Sequence, residues 1–329
     1  MGAVDVADEF ETITKLLAPL AHPEWGRGLV DDVALIPRRK GHDLVATKDA
    51  LVEGVHFLPT DPLDTVAQKV LRVNLSDLAA KGVEPFGYLL ACHWSERCGW
   101  PERKAFVQGL AEDQKRFGVA LVGGDTVSTP GPASFSITLM GWTPKGQIVG
   151  RNGARAGDRV FVTGMIGDGW LGLRAARDLL TLDPERQAAV LEQYRRPMPR
   201  TAFAPSILEH ASAALDVSDG LIADVGHLAR QSGVGIEIQL ETLPLSLAGQ
   251  AWFDGRADAI QALTQLATGG DDYEIAFTAR PGAESALRRE AERLHLRLTC
   301  IGQVTEGEGV TVRYRDEVVP VDQPGWVHR

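Results

Sequence analysis

The sequence predicts a mixed α/β or α+β fold in two domains, and three observations predict it. Alternating apolar patterns of strand type recur between helical ones, a basic, glycine-rich passage interrupts them near the middle, and 329 residues are enough for two cores. Hydrophobic residues make up 44% of the chain, which supports substantial packing. The boundary is expected at Arg151–Asp158 (RNGARAGD), where turn residues precede a new strand, giving domains at 1–150 and 151–329. The same passage can equally be a functional loop.

The elements follow in order. An amphipathic segment, Phe10–Leu20, opens the chain, and Leu44–Thr47 reads as a strand feeding a polar turn at Lys48 and Asp49. Asp64–Lys81 reads as a helix with Val66, Val70, Val73 and Leu78 along one side, ended by Gly82. Tyr88–Cys92 is strand-like, Glu102–Phe117 helical, and Val119–Val122 a strand ending at Gly123, Gly124 and Asp125. Phe135–Trp142 alternates as a half-buried strand. Beyond the boundary come a strand at Val160–Val162, a glycine-rich turn at Gly164–Gly172 and a helix toward Leu180. A strand at Ala214–Ser218 then leads to a helix beginning near Asp219. Gly233–Leu240 and Tyr273–Phe277 are further strands, and the chain closes with strands around a turn at Glu306–Gly309. No fixed-period repeat is present.

Composition excludes several functions. A formal charge of −10 argues against a nucleic-acid groove but not against anionic small substrates, because divalent cations can reverse a local repulsion. Cys92, Cys98 and Cys300 form neither a metal motif nor an even disulfide set, so a reducing compartment, the cytoplasm, is expected. Asp5, Asp8, Glu9 and Glu11 interrupt the first residues, unlike a signal peptide, and no apolar run reaches membrane-spanning length. No lysine precedes Ser or Thr as a P-loop requires, HExxH is absent, and GGDDY lacks the helix-opening pattern of a dinucleotide fold.

Acidic residues concentrate in five places. Gly28, Asp31 and Asp32 lie in GLVDDVAL, where neighbouring carboxylates need a cation, hydrogen bonds or solvent; a solvated turn also explains them. Asp49 and Glu53 lie close to His56 in TKDALVEGVHF, facing a cleft or serving as turn and capping residues. Asn74 and Asp77 are three apart and share a helical face, as a half-buried site or as surface groups. In VGGDTVS, two glycines permit close backbone approach while Asp125 reaches across the opening, although packing alone can demand such a turn. In ALDVSDGL, Asp216 and Ser218 would share one side of a strand, with Asp219 in the next helix's first turn; a plain cap explains Asp219 but not Asp216. Taken jointly, hard oxygen donors at strand ends suit Mg²⁺ and phosphoryl transfer.

The ordered strings VDDVA (Val30–Ala34), TKDALVEGVHF (Thr47–Phe57), NLSDLAAKG (Asn74–Gly82), VGGDT (Val122–Thr126), TGMIGDGWLGL (Thr163–Leu173), LDVSDGL (Leu215–Leu221), GGDDYEI (Gly269–Ile275) and terminal GWVHR together resemble the thiamine-monophosphate kinase family. Each string is weakly specific, whereas their order across nearly the whole chain is highly so. The resemblance implies a two-domain aminoimidazole-ribonucleotide synthetase-like architecture, with a mixed-sheet N-terminal domain for metal binding and dimerisation and an α/β C-terminal domain for nucleotide and substrate. It implies ATP-dependent phosphorylation of thiamine monophosphate to thiamine diphosphate, in a homodimer whose active site lies between domains and across the dimer contact. It further implies that Asp31, Asp49, Asp77, Asp125 and Asp216 organise several Mg²⁺ ions, with Thr47 contributing an oxygen and Asp219 at another cation position. Among these, Asp49, Asp125 and Asp216 would serve catalysis through metal placement. Gly124, Asp125, Arg151 and Ser218 would bind ATP, and His56, Asp271 and Trp326 the substrate. Three positions depart from the family pattern: Val30 stands where glycine is common, Lys48 where a small hydroxyl residue is, and Asp271 where glutamate is.

Overall fold

Alternating side chains draw the N-terminal half into a four-stranded sheet, seen in a computed structural model that describes residues 9–326. Val327, His328 and Arg329 of the GWVHR string, with Asp5 and Asp8, lie outside the described residues. The chain divides into two units: Met1–Leu78 with Glu84–Gly146, and Ala79–Val83 with Gln147–Arg329.

The first unit opens with a short helical turn α1 (Glu9–Glu11) that continues as a π turn over Thr12–Leu17. Then come β1 (His42–Val52), α2 (Leu63–Ala80), β2 (Glu84–Ser95), α3 (Trp100–Phe117), β3 (Ala120–Thr129) and β4 (Ser134–Pro144). The strand order is β1-β4-β2-β3, with β2 and β3 parallel and the other pairs antiparallel. Gly118 ends α3 in the left-handed conformation, its N–H returning to the Gln114 carbonyl as a helix terminus requires. Trp94, Phe106 and Phe135 form the aromatic centre, with ring centroids 4.3 to 5.3 Å apart. Arg72 of α2 and Asp113 of α3 make a buried bidentate pair at 2.6 and 2.8 Å, which satisfies both charges away from water.

Both polar turns predicted in this unit are corrected. Lys48 and Asp49 lie inside β1, paired with Thr138 and Ile137. Gly123, Gly124 and Asp125 lie inside β3, paired with Leu89, Leu90 and Ala91.

The second unit contains β5 (Arg159–Thr163), α4 (Asp168–Ala176), α5 (Pro184–Arg195), α6 (Ala204–His210), β6 (Ala211–Asp216), α7 (Leu221–Ser232), β7 (Gly235–Gln239), α8 (Leu247–Asp254), α9 (Ala259–Ala267), β8 (Ile275–Ala279), α10 (Glu284–Arg293), β9 (Leu298–Thr305), β10 (Gly309–Tyr314) and β11 (Glu317–Val318). Its seven-stranded sheet runs β11-β10-β7-β9-β5-β8-β6, with only β7 and β10 parallel among the strand pairs. Val160, Val162, Leu215 and Ile238 anchor a core that takes Leu221, Val225 and Leu228 from α7 at helical spacing. Here too the predicted boundaries shift. The glycine-rich turn gives way to α4 at Asp168, β6 stops at Asp216, and α7 starts at Leu221, so Ser218 and Asp219 lie in a connecting loop rather than on a strand and a helix.

Candidate active site

In the first unit, β1 sends Thr47 and Asp49 to the same face as buried Leu51, and α2 meets that part of the strand. Thr47 Oγ1 donates to Asp77 Oδ2 at 2.6 Å. The Asp49 N–H donates to Asn74 Oδ1 at 3.0 Å, and Asn74 Nδ2 is fixed by the Val70 carbonyl at 2.8 Å. Asn74 and Asp77 thus share a helical face as their spacing predicts, and that face meets Thr47 and the Asp49 backbone of β1. Burial, with the neighbouring Asp77 charge second, pushes the Asp49 carboxyl up to about 6. The Asp49 and Asp77 carboxyls and the Thr47 hydroxyl are hard oxygen donors, and a divalent cation would offset the repulsion between the two acids.

The other expected cation ligands of this unit stand elsewhere. Asp31 is exposed and paired with Arg27 at 2.8 Å. Register places Asp125 in a cross-strand row with Ala91, Ser136 and Ala50, whereas Asp49 shares its row with Ile137, Leu90 and Gly124. Adjacent rows face opposite sides of a sheet, so Asp125 and Asp49 occupy opposite faces and opposite edges, about 14 Å apart across three strand spacings. Among the described residues, no three His, Cys, Asp or Glu side chains form a ready metal cage. His56 Nδ1 accepts the Val52 N–H at 3.1 Å, so this ring closes the turn after β1.

The second unit gathers its expected residues more closely. Asp216 is buried at the end of β6, and the loop after it is joined by two other segments. The Asp271 N–H donates to the Ser218 carbonyl at 2.7 Å, the Tyr273 N–H to Val217 at 2.8 Å and the Trp326 N–H to Asp219 at 2.8 Å. Gly270 packs so closely that a Cβ there would lie 2.6 Å from the Ser218 oxygen, and the chain continues through Asp271 at φ 65°. Trp326 is 59% exposed and offers an open aromatic surface beside this loop. Arg151 is exposed, and its charge helps hold the His227 imidazole below its usual value, after burial and Arg230.

Two acids that the sequence reading did not single out support these segments. Asp224 Oδ2 accepts the N–H groups of Ser218, Asp219 and Gly220 at 3.0, 3.1 and 3.2 Å; burial first, then Asp219, pushes its carboxyl up to about 7. Asp272 is buried and accepts from Gly167 and Gly169, fixing the turn before α4, and burial raises it well above the carboxylate range. An acid five residues into the helix predicted from Asp219 is a signal for Asp224. For Asp272, the adjacent Asp271 masks it.

Two acidic faces and backbone loops of this kind define a class of protein, and family models agree with it. Residues 30–143 match the AIR synthase related protein, N-terminal domain, and residues 155–315 the corresponding C-terminal domain. The two-domain synthetase-like architecture with its mixed N-terminal sheet is therefore the fold. The thiamine-monophosphate kinase of Caulobacter vibrioides is 46% identical, over 97% of this chain and 90% of that one. The solved thiamine-monophosphate kinase of Stenotrophomonas maltophilia is 37% identical with a TM-score of 0.79, over 86% of this chain and 89% of that one. A structure of AaThiL complexed with AMPPCP and TMP is 33% identical with a TM-score of 0.77, covering 89% of each chain. The chain belongs to the thiamine-monophosphate kinase family and is an enzyme.

Proposed function

We propose that this protein transfers the γ-phosphoryl group of ATP to thiamine monophosphate, releasing thiamine diphosphate and ADP. The observation that carries the reading is the Thr47–Asp77 contact beside an Asp49 carboxyl raised by burial, a set of hard oxygen donors whose charge a divalent cation would offset. The names of its relatives, and a relative solved with AMPPCP and TMP, support the substrate pair.

A terminal oxygen of thiamine monophosphate attacks the γ-phosphorus, and the bond to the β-phosphate oxygen breaks with its electron pair going to ADP. The nucleophile is already an anion at neutral pH, so no side chain has to remove a proton. Mg²⁺ ions would supply charge neutralisation at the phosphate groups, with Thr47, Asp49 and Asp77 as one expected donor set and Asp216 and Asp219 as another. Asp31 and Asp125 complete the proposed cation set. Gly124, Arg151 and Ser218 bind ATP, where the Arg151 guanidinium offers directional donors to polyphosphate. Trp326 gives an aromatic plane to the cationic thiazolium, with His56 and Asp271 as further substrate contacts.

The protein acts as a cytoplasmic homodimer in this reading. Its support is that one chain keeps Asp125 and Asp49 on opposite faces and edges of one sheet, so a second copy is the simplest way to complete a shared ion site. Leu44, Leu89 and Val127 are part-exposed apolar side chains in that unit, as a contact surface requires.

The test is a product assay with ATP, Mg²⁺ and thiamine monophosphate, resolving thiamine diphosphate and ADP. Equal yields of the two, abolished by EDTA, are expected. Robust turnover without ATP or any divalent ion would sink the proposal.

A further inference from the structure

We infer that Asp224 and Ser232, at opposite ends of α7, are positioning residues that set the separation between the Ser218–Asp219 loop and the Arg151 loop. This rests on the kinase reading, which gives Ser218, Asp219 and Arg151 their work on ATP and its cation.

At the start of the helix, a single buried oxygen, Asp224 Oδ2, takes three consecutive amides, those of Ser218, Asp219 and Gly220. An ordinary helix cap satisfies one or two N–H groups from outside the helix. Here the acceptor comes from within the first turn and reaches back to gather the loop. Gly220 can comply because it sits at φ 129°, and a Cβ there would lie 2.9 Å from the Thr268 carbonyl carbon. With these amides turned toward Asp224, the loop's backbone direction is set independently of any ligand.

The last residue of the same helix does the equivalent for the other loop. Ser232 Oγ accepts from the Gly153 and Ala154 N–H groups, each at 3.2 Å, and donates to the Arg151 carbonyl at 3.3 Å. One donor and two acceptor positions exhaust a hydroxyl. Gly153 is held at φ 129°, where a Cβ would lie 2.5 Å from the Ser212 carbonyl oxygen. Eight residues separate Asp224 from Ser232, about 12 Å along a rigid helix, so the two grips fix a distance as well as two local shapes. Neither side chain has to touch ATP for this.

The test compares the full-length protein with Asp224→Ala, Asp224→Asn and Ser232→Ala. Ser232→Ala is expected to raise the KM for ATP about three- to tenfold with kcat changed less than about twofold, the loss of neutral hydrogen bonds at one loop. Asp224→Ala is expected to raise it more than about tenfold, and Asp224→Asn to recover most of that, since its amide oxygen still accepts. Amide hydrogen exchange should quicken at Ser218–Gly220 in Asp224→Ala and at Gly153 and Ala154 in Ser232→Ala. Unchanged KM in folded variants overturns the inference, as does a fall in kcat that merely tracks lost thermal stability. If Asp224→Ala does not fold, the Asn and Ser232→Ala proteins decide. If the wild type makes no thiamine diphosphate, the kinase reading fails on that assay, while amide exchange and calorimetric titration with Mg·ATP still judge the grips.

Discussion

The proposed role of Asp49 would set function against stability in one side chain. Burial and Asp77 push its carboxyl up to about 6, so in metal-free protein at pH 7.5 it is ionised against its surroundings. Asp49→Asn removes that penalty, which a shift of this size puts at about 1–3 kcal/mol. Differential scanning calorimetry in EDTA should show the variant melting a few degrees above wild type, with Mg²⁺ raising the wild type more than the variant. Phosphorylation of thiamine monophosphate should fall by about 100-fold or more in the same variant. A variant less stable than wild type in EDTA would contradict this account. Asp125→Asn and Asp216→Asn test two proposed acids outside that cluster. Each should weaken Mg²⁺ and ATP placement while leaving the thermal midpoint within a few degrees of wild type, and normal activity and metal dependence in both would reject their assignment. The acids were legible in the sequence as residue types at suggestive positions. Their grouping was not: Asp77 meets Thr47 as its helical spacing allows, yet Asp125 falls on the opposite sheet face, a matter of register that no single segment encodes.

At the scale of elements, the first unit's two long helices were read closely and its strands short, whereas α5, α6, α8, α9 and α10 of the second unit were not read at all. The helix read at Asp64–Lys81 is Leu63–Ala80, and that at Glu102–Phe117 begins two residues earlier, because apolar spacing marks the buried side of the first and Gly82 and Gly118 follow the two ends. The strand at Leu44–Thr47 instead runs on to Val52, and the one at Val119–Val122 to Thr129. Lys48, Asp49, Gly123, Gly124 and Asp125 look like turn formers locally, and ladder pairing to β4 and β2 overrides that preference. Gly124 explains why a glycine sits in such a strand. Its φ is 156°, and a Cβ would lie 1.8 Å from the Leu90 carbonyl oxygen of the paired strand. Gly124→Ala should therefore cost about 1–3 kcal/mol by forcing β3 away from β2. Urea denaturation should show the loss, and a variant as stable as wild type would mean that the close approach is not maintained in solution.

Across the whole molecule, buried acids give a pH dependence opposite to that of proteins stabilised by salt-bridged carboxylates. Asp49 and Asp168 are pushed up to about 6 and Asp224 to about 7, each chiefly by burial, and Asp272 is raised as well. A carboxyl whose folded pKa exceeds its unfolded one binds its proton more tightly in the native state. Its contribution is therefore favourable below about pH 4 and is lost as pH climbs to the folded value, by up to about 1.4 kcal/mol per unit for each group. His227, held low by burial and then by Arg230 and Arg151, works the other way. So do Asp183 and Glu290, held low by hydrogen bonds from the Arg186 backbone and the Arg293 side chain, but at pH values below about 5. The formal charge of −10 adds to the trend, because protonation relieves repulsion. Metal-free protein should consequently have a higher urea midpoint at pH 5 than at pH 7.5. Asp168 isolates the cause: its Oδ1 accepts from Ser246 Oγ at 2.7 Å, a bond that an asparagine amide oxygen retains. Asp168→Asn should gain stability over wild type at pH 7.5, by at most about 3 kcal/mol, gain little at pH 4, and flatten the slope between them. A wild-type midpoint that rises from pH 5 to 7.5 in EDTA would show that these carboxyls are ionised in the fold at little cost.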